Sequence, residues 1–289
     1  MDAIVKKNLI ESYQTDGGFI VHDCPMLKKL YDYLGIDPAT SLDTRIFELE
    51  GITHFFHHGV AALFKKLKIS SDDYVLSCGE GSGAPSRLLV KMTGCKVVGI
   101  DINSTQLIKA RECALLHGIQ DKVRYYEQNV EELSLDKKDF TKAYFNETCG
   151  HWQDKAKAFV RIQVHLNPGA MIGFNLWLRG DKGTLNEAYA SVPEFTGLYK
   201  PGIWFQDDLS TYQRLLEQSG FKILEIYDYT DTIDVRMRAR LKATLQWDRY
   251  EAIMGREAKE SAIRYYGGMI KTHYDFLKYG VIIARKEEW

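Results

Sequence analysis

Residues 75–85 read Val75-Leu-Ser-Cys-Gly79-Glu-Gly81-Ser-Gly83-Ala-Pro85, an apolar run that breaks into three alternating glycines and then meets a proline. Such a run, bounded by glycine, reads as a short buried strand. Proline suits the first turn of a following helix, where its missing N–H has no partner to lose. Glycines crowded at the end of a strand let backbone approach a ligand that a side chain would hold off. A second apolar run, Lys96–Ile100, ends at Asp101, 22 residues after Gly79. An acid there can accept hydrogen bonds from both ribose hydroxyls of an adenosine-containing cofactor. All these features stand in register, which favours a ligand site over a plain turn with Asp101 as a helix cap.

Outward from this stretch, strands and helices alternate. Tyr74–Cys78, Lys96–Ile100, Val123–Gln128, Lys142–Phe145, Ala170–Trp177, Phe221–Tyr229 and Tyr279–Lys286 read as strands. Helices are expected over Pro85–Thr93, from Ser104 as cap to His117, over Asp154–His165 and over Leu209–Ser219, with two more filling 235–277. An Asn167-Pro168-Gly169 turn precedes the fifth strand. Alternation of this kind means βαβ units and a parallel sheet. The stretch Phe47–Leu67 carries apolar residues at helical spacing (Leu49, Ile52, Phe55, Phe56, Val60, Leu63, Leu67). Residues 1–70 therefore read as a helical extension of the domain that fills 71–289. That domain carries insertions at about 178–208 and 231–277.

Composition narrows the function. With 38 Lys plus Arg against 39 Asp plus Glu the net charge is −1, which argues against a nucleic-acid binder working by phosphate neutralisation. Five dispersed cysteines without a C-x-x-C pair argue against a disulfide framework or zinc ribbon and suit a reducing compartment. No stretch has the apolar length of a membrane span, and the opening lacks a signal-peptide core. A cytoplasmic protein acting on a small molecule is the expectation, while oligomeric state and organism stay open. Aromatics reach 12%, with 17 Tyr, 13 Phe and 5 Trp, enough to furnish an apolar pocket.

Gly79-x-Gly81-x-x-Ala84 also fits the relaxed dinucleotide pattern, so the glycines alone do not separate NAD from S-adenosylmethionine. The later segments do so by resemblance. VLSCGEGSGAPSRLL, VVGIDINSTQLIKARE, VRYYEQNVEEL, FTKAYFNETCGHWQD, HLNPGAMIGFNLW and YGVIIARK resemble, in order and spacing, the motifs of class I S-adenosylmethionine-dependent methyltransferases, well over 70–178 and loosely in the tail. The resemblance implies a Rossmann-like α/β fold, a mostly parallel seven-stranded sheet with an antiparallel last strand and helical lid insertions. It implies that Gly79, Gly81 and Gly83 line the methionine of the cofactor and that Asp101 holds the ribose. It places Ile102 on the adenine and Asn129 and Val130 at its amino edge, with Gln106 and Asn146 completing the set. Two departures stand out: Ser77 where the family usually has an acid, and Asn129 where it often has Asp.

Asn146-Glu147-Thr148-Cys149-Gly150-His151-Trp152 follows the fourth strand and borders the cleft of an open α/β sheet. Glu147 and His151 are the best-placed groups for an acceptor that must lose a proton. The Asn-Glu-Thr triplet resembles prenyl C-methyltransferases of the geranyl diphosphate type, where the matching glutamate takes the proton from a carbocation. Aromatic faces can stabilise such a cation, and Trp152, Trp177, Tyr199, Trp204, Phe205 and Tyr265 are candidates. Among them Trp152, Trp177, Trp204 and Tyr265, together with His57, are assigned to substrate. His54, His57 and His58 have a metal-compatible spacing, but reading them as surface, core or substrate contacts is the more ordinary choice, and no metal is assigned. Asp228, Asp231 and Asp234 could hold Mg²⁺ for a diphosphate, though turns and a cap explain them as well. N- or O-methylation of a small amine, phenol or carboxylate is the alternative, and a noncatalytic cofactor-binding module is a third reading.

Overall fold

A computed structural model describes residues 1–14, 24–41, 47, 56–198, 200, 202–246, 251–252 and 255–287. Seven strands run β1 Tyr74–Cys78, β2 Lys96–Asp101, β3 Val123–Glu127, β4 Phe140–Asn146, β5 Leu166–Leu178, β6 Phe221–Asp228 and β7 Lys278–Lys286. They form one sheet in the order β3-β2-β1-β4-β5-β7-β6. The last strand, β7, runs antiparallel to both neighbours, and the pairs from β3 to β5 are parallel. Every strand expected from the sequence is present, and so is the antiparallel last one.

Both faces of this sheet are covered, which is why β1 is a nearly unbroken apolar run with Val75–Cys78 buried. Alternation sorts its side chains. Val75 faces a core layer shared with α3 Phe56–Lys66, α4 Ala84–Thr93, α5 Ser104–Leu116 and α10 Arg256–Lys271. Leu76 and Cys78 face the opposite layer, made by α6 Lys155–Gln163 and α8 Leu209–Gln218. The remaining described helices are α1 Ala3–Gln14, α2 Cys24–Leu34, α7 Leu185–Ser191 and α9 Thr230–Gln246. The chain leaves β1 toward β2 on one side and β4 stands on the other, so the order reverses at β1/β4. A crevice opens there, at the carboxyl ends of the strands.

The structure corrects two local expectations. Asn103, not Ser104, caps α5: its side-chain oxygen accepts from the N–H groups of Thr105 and Gln106. Ser104 is already the first helical residue, and the extended backbone of Asn103 carries its short side chain back over the turn. The Asn167-Pro168-Gly169 segment lies inside β5 as a register shift between the pairs Phe140–Leu166 and Lys142–Met171. Proline there acts as the interruption of a strand rather than its boundary. The long helix ending near Leu67 is seen as α3, and Leu49, Ile52 and Phe55 lie outside the described residues. The insertion over 178–208 contains α7 and a short turn of helix at Pro193–Phe195, and that over 231–277 contains most of α9 and all of α10.

Gly173 on β5 shows how tightly α3 sits on the sheet, because a Cβ there would lie 2.9 Å from a Leu63 methyl and 3.0 Å from those of Leu67. Gly173→Val should destabilise the fold by about 1–3 kcal/mol through overpacking. A lower urea midpoint at unchanged slope checks this, and an unchanged midpoint contradicts it.

Candidate functional site

The glycine loop is left-handed at all three glycines, with φ of 75° at Gly79, 56° at Gly81 and 81° at Gly83. At Gly79 no other residue fits, since a Cβ would stand 2.1 Å from the Thr148 hydroxyl. The loop after β1 is thereby pressed against the loop after β4. At Gly81 the absent Cβ would meet nothing within 4 Å, which makes that backbone a cradle. Asp101 fixes the cradle: Oδ2 accepts from Gly81 N–H at 2.8 Å and Oδ1 from Asn103 N–H at 2.9 Å. Burial pushes the Asp101 carboxyl above its ordinary range, opposed by the backbone donors of Gly81, Asn103 and Ile102.

Ser77 stands where the resemblance expects an acid, and the carboxyl of Glu80, three residues along, lies beside it. Glu80 folds back over β2 into space that Gly99 leaves, where a Cβ would lie 2.7 Å from the carboxyl carbon. One oxygen, Oε2, accepts from Ser86 Oγ at 2.8 Å, and Ser86 in turn meets Tyr144 Oη at 2.6 Å. Burial raises the Glu80 carboxyl to about 7, against the pull of hydrogen bonds from Ser77 and Ser86 and the charge of Arg87.

On the other side of the crevice, Glu147 follows β4 with a left-handed φ of 55°. Its N–H donates to Asn175 O at 3.0 Å, and Tyr279 Oη donates to its Oε1 at 2.8 Å. His151, on a short turn of helix at Cys149–His151, is buried and bonded at both ring nitrogens. Nδ1 lies 2.8 Å from Ile203 O and Nε2 lies 2.9 Å from Tyr13 Oη. A carbonyl only accepts, so Nδ1 carries the proton and Nε2 accepts from the tyrosine. Burial pushes the His151 pKa down to about 4, beyond what the Ile203 bond restores, so the ring is neutral near pH 7. Trp204 lies against it at 4.2 Å between ring centres. The end of α1 is tied down twice, by Tyr13 Oη and by Gln106 Nε2 donating to Tyr13 O at 2.7 Å.

One cavity of about 220 Å³ unites these parts. Gly79, Gly81, Asp101, Ile102, Gln106, Asn129, Val130 and Asn146 line it, and so do Glu147, His151, Trp152, Trp177, Trp204 and Tyr265. Gly83 lies outside the wall, packed where a Cβ would lie 3.0 Å from Tyr125 Oη and 3.1 Å from Ala110 Cβ. The side chain of His57 and all of Tyr199 lie outside the described residues. Phe205 is not in the wall; its N–H donates to Gly150 O. Leu9, Ile10 and Tyr13 of α1 are wall residues that no motif announced. Asp228 accepts from Thr230 N–H and Asp234 pairs with Arg238 at 2.8 Å. Among the described residues no group of three or more His, Cys, Asp or Glu is placed to hold a metal. No described helix is long and apolar enough to cross a membrane.

Residues 75–169 match the methyltransferase domain family. That stretch is a methyltransferase domain. It begins in β1 and ends in the irregular part of β5, so it contains the glycine loop, Asp101 and the Glu147 loop. A sterol 24-C-methyltransferase of Saccharomyces cerevisiae is 25% identical over 169 residues, covering 58% of this chain and 44% of that protein. The chain thus spans less than half the length of that relative. The geranyl diphosphate C-methyltransferase of Streptomyces coelicolor A3(2), solved with Mg²⁺, geranyl diphosphate and S-adenosyl-L-homocysteine, superposes with a TM-score of 0.61 at 18% identity, over 86% of this chain and 84% of that one. Phosphoethanolamine N-methyltransferase 2 of Haemonchus contortus, solved with phosphomonomethylethanolamine and S-adenosylhomocysteine, gives 0.71 at 17% identity over 82% and 54%. The methyltransferase domain thus sits in the fold these proteins share.

The buried Glu80 gives the domain a pH signature. Unfolded, its carboxyl titrates at the ordinary 4.5, and folded at about 7. Between those values the native state holds a proton that the unfolded chain has released, so the Glu80 contribution to stability falls as pH rises through that window, while His151, held down at about 4, contributes a rise over its lower part. Glu80→Gln should remove the Glu80 contribution, so the urea midpoint of the variant should gain on that of the wild type as pH rises from 5 to 8. A midpoint difference that stays constant over that range contradicts it.

Proposed function

We propose that this chain is an S-adenosylmethionine-dependent methyltransferase of a small molecule, and that it C-methylates a prenyl or related alkene with Glu147 as base. The observation that carries the reading is the single cavity that joins the glycine–Asp101 end to a carboxylate among aromatic rings. The residues present fit the cofactor. The Gly81 cradle admits the methionine portion, the half-buried Asp101 carboxylate suits ribose hydroxyls, and Ile102 offers an apolar face to adenine. Asn129 and Val130 stand at the adenine edge, with Gln106 and Asn146 alongside. When bound, S-adenosylmethionine supplies an electrophilic methyl group on a sulfonium sulfur.

The rest of the chemistry belongs to this chain's side chains. Attack of the alkene π electrons on that methyl would break its bond to sulfur, the electron pair staying on the departing thioether, and would leave positive charge on the acceptor. Trp177, Trp204 and Tyr265 line the same cavity, and aromatic faces stabilise a cation that water cannot reach. Loss of a proton to Glu147 restores a double bond. Mg²⁺ enters only where the acceptor is a diphosphate. The C-methyltransferases among the relatives support this choice.

A second reading, N- or O-methylation of a small amine, phenol or carboxylate, draws on the Tyr13–His151 pair and on the N-methyltransferase of similar fold. Neutral His151 accepts the Tyr13 proton, which leaves the tyrosine oxygen as an acceptor for an amine or phenol hydrogen.

Calorimetry should show binding of S-adenosylhomocysteine and none of NADH; the reverse sinks the cofactor. In a cofactor-consumption assay with geraniol, geranyl diphosphate with Mg²⁺ or EDTA, phenol and ethanolamine, the alkene reading expects turnover of a prenyl acceptor. Glu147→Gln should then lower kcat by about 10²–10⁴ with S-adenosylhomocysteine affinity unchanged. An active Glu147→Gln with a crippled Tyr13→Phe establishes the second reading instead.

A further inference from the structure

Three residues on three different segments close a ring of hydrogen bonds beside the cavity. Glu147 N–H donates to the main-chain oxygen of Asn175 on β5 at 3.0 Å. The side chain of the same Asn175 donates from Nδ2 to Tyr279 Oη at 2.5 Å. Tyr279 on β7 then donates from Oη to Glu147 Oε1 at 2.8 Å. Asn175 and Tyr279 are fully buried, so neither group can exchange these partners for water.

The polarity of the ring is set by its first donor. An amide N–H only donates, so it occupies a lone pair of the tyrosine oxygen, and the hydroxyl proton is left to point at Glu147. Glu147 Oε1 must accept, which favours the ionised carboxylate over the acid. The rest of the fold keeps the tyrosine still. Its ring stands edge-on to Trp177 at 4.7 Å, with Trp177 paired directly opposite it across β5 and β7. Its main chain is gripped where α9 begins, with Tyr279 N–H donating to Thr230 Oγ1 at 3.1 Å and Tyr229 N–H donating to Tyr279 O at 2.9 Å. The left-handed backbone of Glu147 is a conformation that side-chain-bearing residues rarely adopt, and the Asn175 carbonyl holds it.

We infer that Tyr279 is a positioning residue: held by Asn175, it keeps Glu147 ionised and fixed at the cavity wall, ready to take a proton. This rests on the reading of Glu147 as base. The start of α9 and the start of β7, which flank the late helical insertion, thereby reach the reacting end of the site through Thr230 and Tyr279.

The test titrates Glu147 directly, in protein labelled with ¹³C at glutamate carboxyls and saturated with S-adenosylhomocysteine. Tyr13, Glu80, Asp101, His151 and Tyr265 share the wall, so the Glu147 signal is assigned by its loss in Glu147→Gln. Tyr279→Phe should move that titration up by about one pH unit, the worth of one hydrogen bond to a charged group. Replacement of Tyr279 by 3-fluorotyrosine, a better donor of nearly the same shape, should move it down, and this variant keeps the test intact if the phenylalanine form folds poorly. A titration unmoved in both overturns the inference while leaving the base reading untouched. In turnover of geraniol, Tyr279→Phe should lose about 10-fold or more in kcat, with the acid limb of its pH profile displaced upward and cofactor affinity unchanged. Wild-type turnover by Glu147→Gln instead removes the base, and with it any catalytic part for Tyr279.

Discussion

Gly79 has no side chain because Thr148 stands where one would be. That contact sets the distance between the loops after β1 and β4, and therefore the width of the crevice between them. The parallel sheet brings both loops to the same edge, and the reversal of strand order at β1/β4 sends them to opposite sides of the crevice. Everything proposed for the site hangs on this one close approach. The cofactor end rides on the first loop, and the carboxylate of Glu147 follows from the second.

Three acids then share one cavity under different constraints. Asp101 is held by backbone donors, Glu80 by the Ser86 hydroxyl, and Glu147 by the Tyr279 hydroxyl. Burial disfavours charge on the first two, and the donors around them resist it to different degrees. His151 is treated in the opposite way, being driven neutral by the same burial. A crevice lined by acids and a neutral imidazole has a negative bias, and a site that must face positive charge gains from it. The aromatic excess of the composition is partly spent here, in Trp177, Trp204 and Tyr265, and partly in the core, where Tyr144, Tyr212 and Phe159 are buried.

Much of the fold was legible in the sequence because its signals are local. Apolar runs bounded by glycine or charge mark the strands, and the spacing from Gly79 to Asp101 requires no knowledge of distant residues. Errors came where two local signals competed. Asn103 and Ser104 are both good caps, and only the backbone direction chose between them. Pro168 and Gly169 read as a turn, yet pairing with β4 carried the strand through them. The alternate acid at Glu80 was visible as a residue, but its fit depends on Gly99 lying beneath it on β2.

The sequence by itself determined the sheet, the glycine loop, Asp101 and the loop bearing Glu147, because each depends on residues within a few positions of one another. It did not announce Tyr13 or Tyr279. Their functional partners lie 138 and 132 positions away, and a lone tyrosine at the end of a helix or the start of a strand carries no local sign of what it will meet. Only the tertiary structure decided those pairings, since packing α1 over the crevice and β7 beside β5 is what brings the hydroxyls within bonding distance. The same distinction separates Ser77 from Glu80: the family resemblance names the first as the expected acid position, and folding brings the carboxyl of the second beside it.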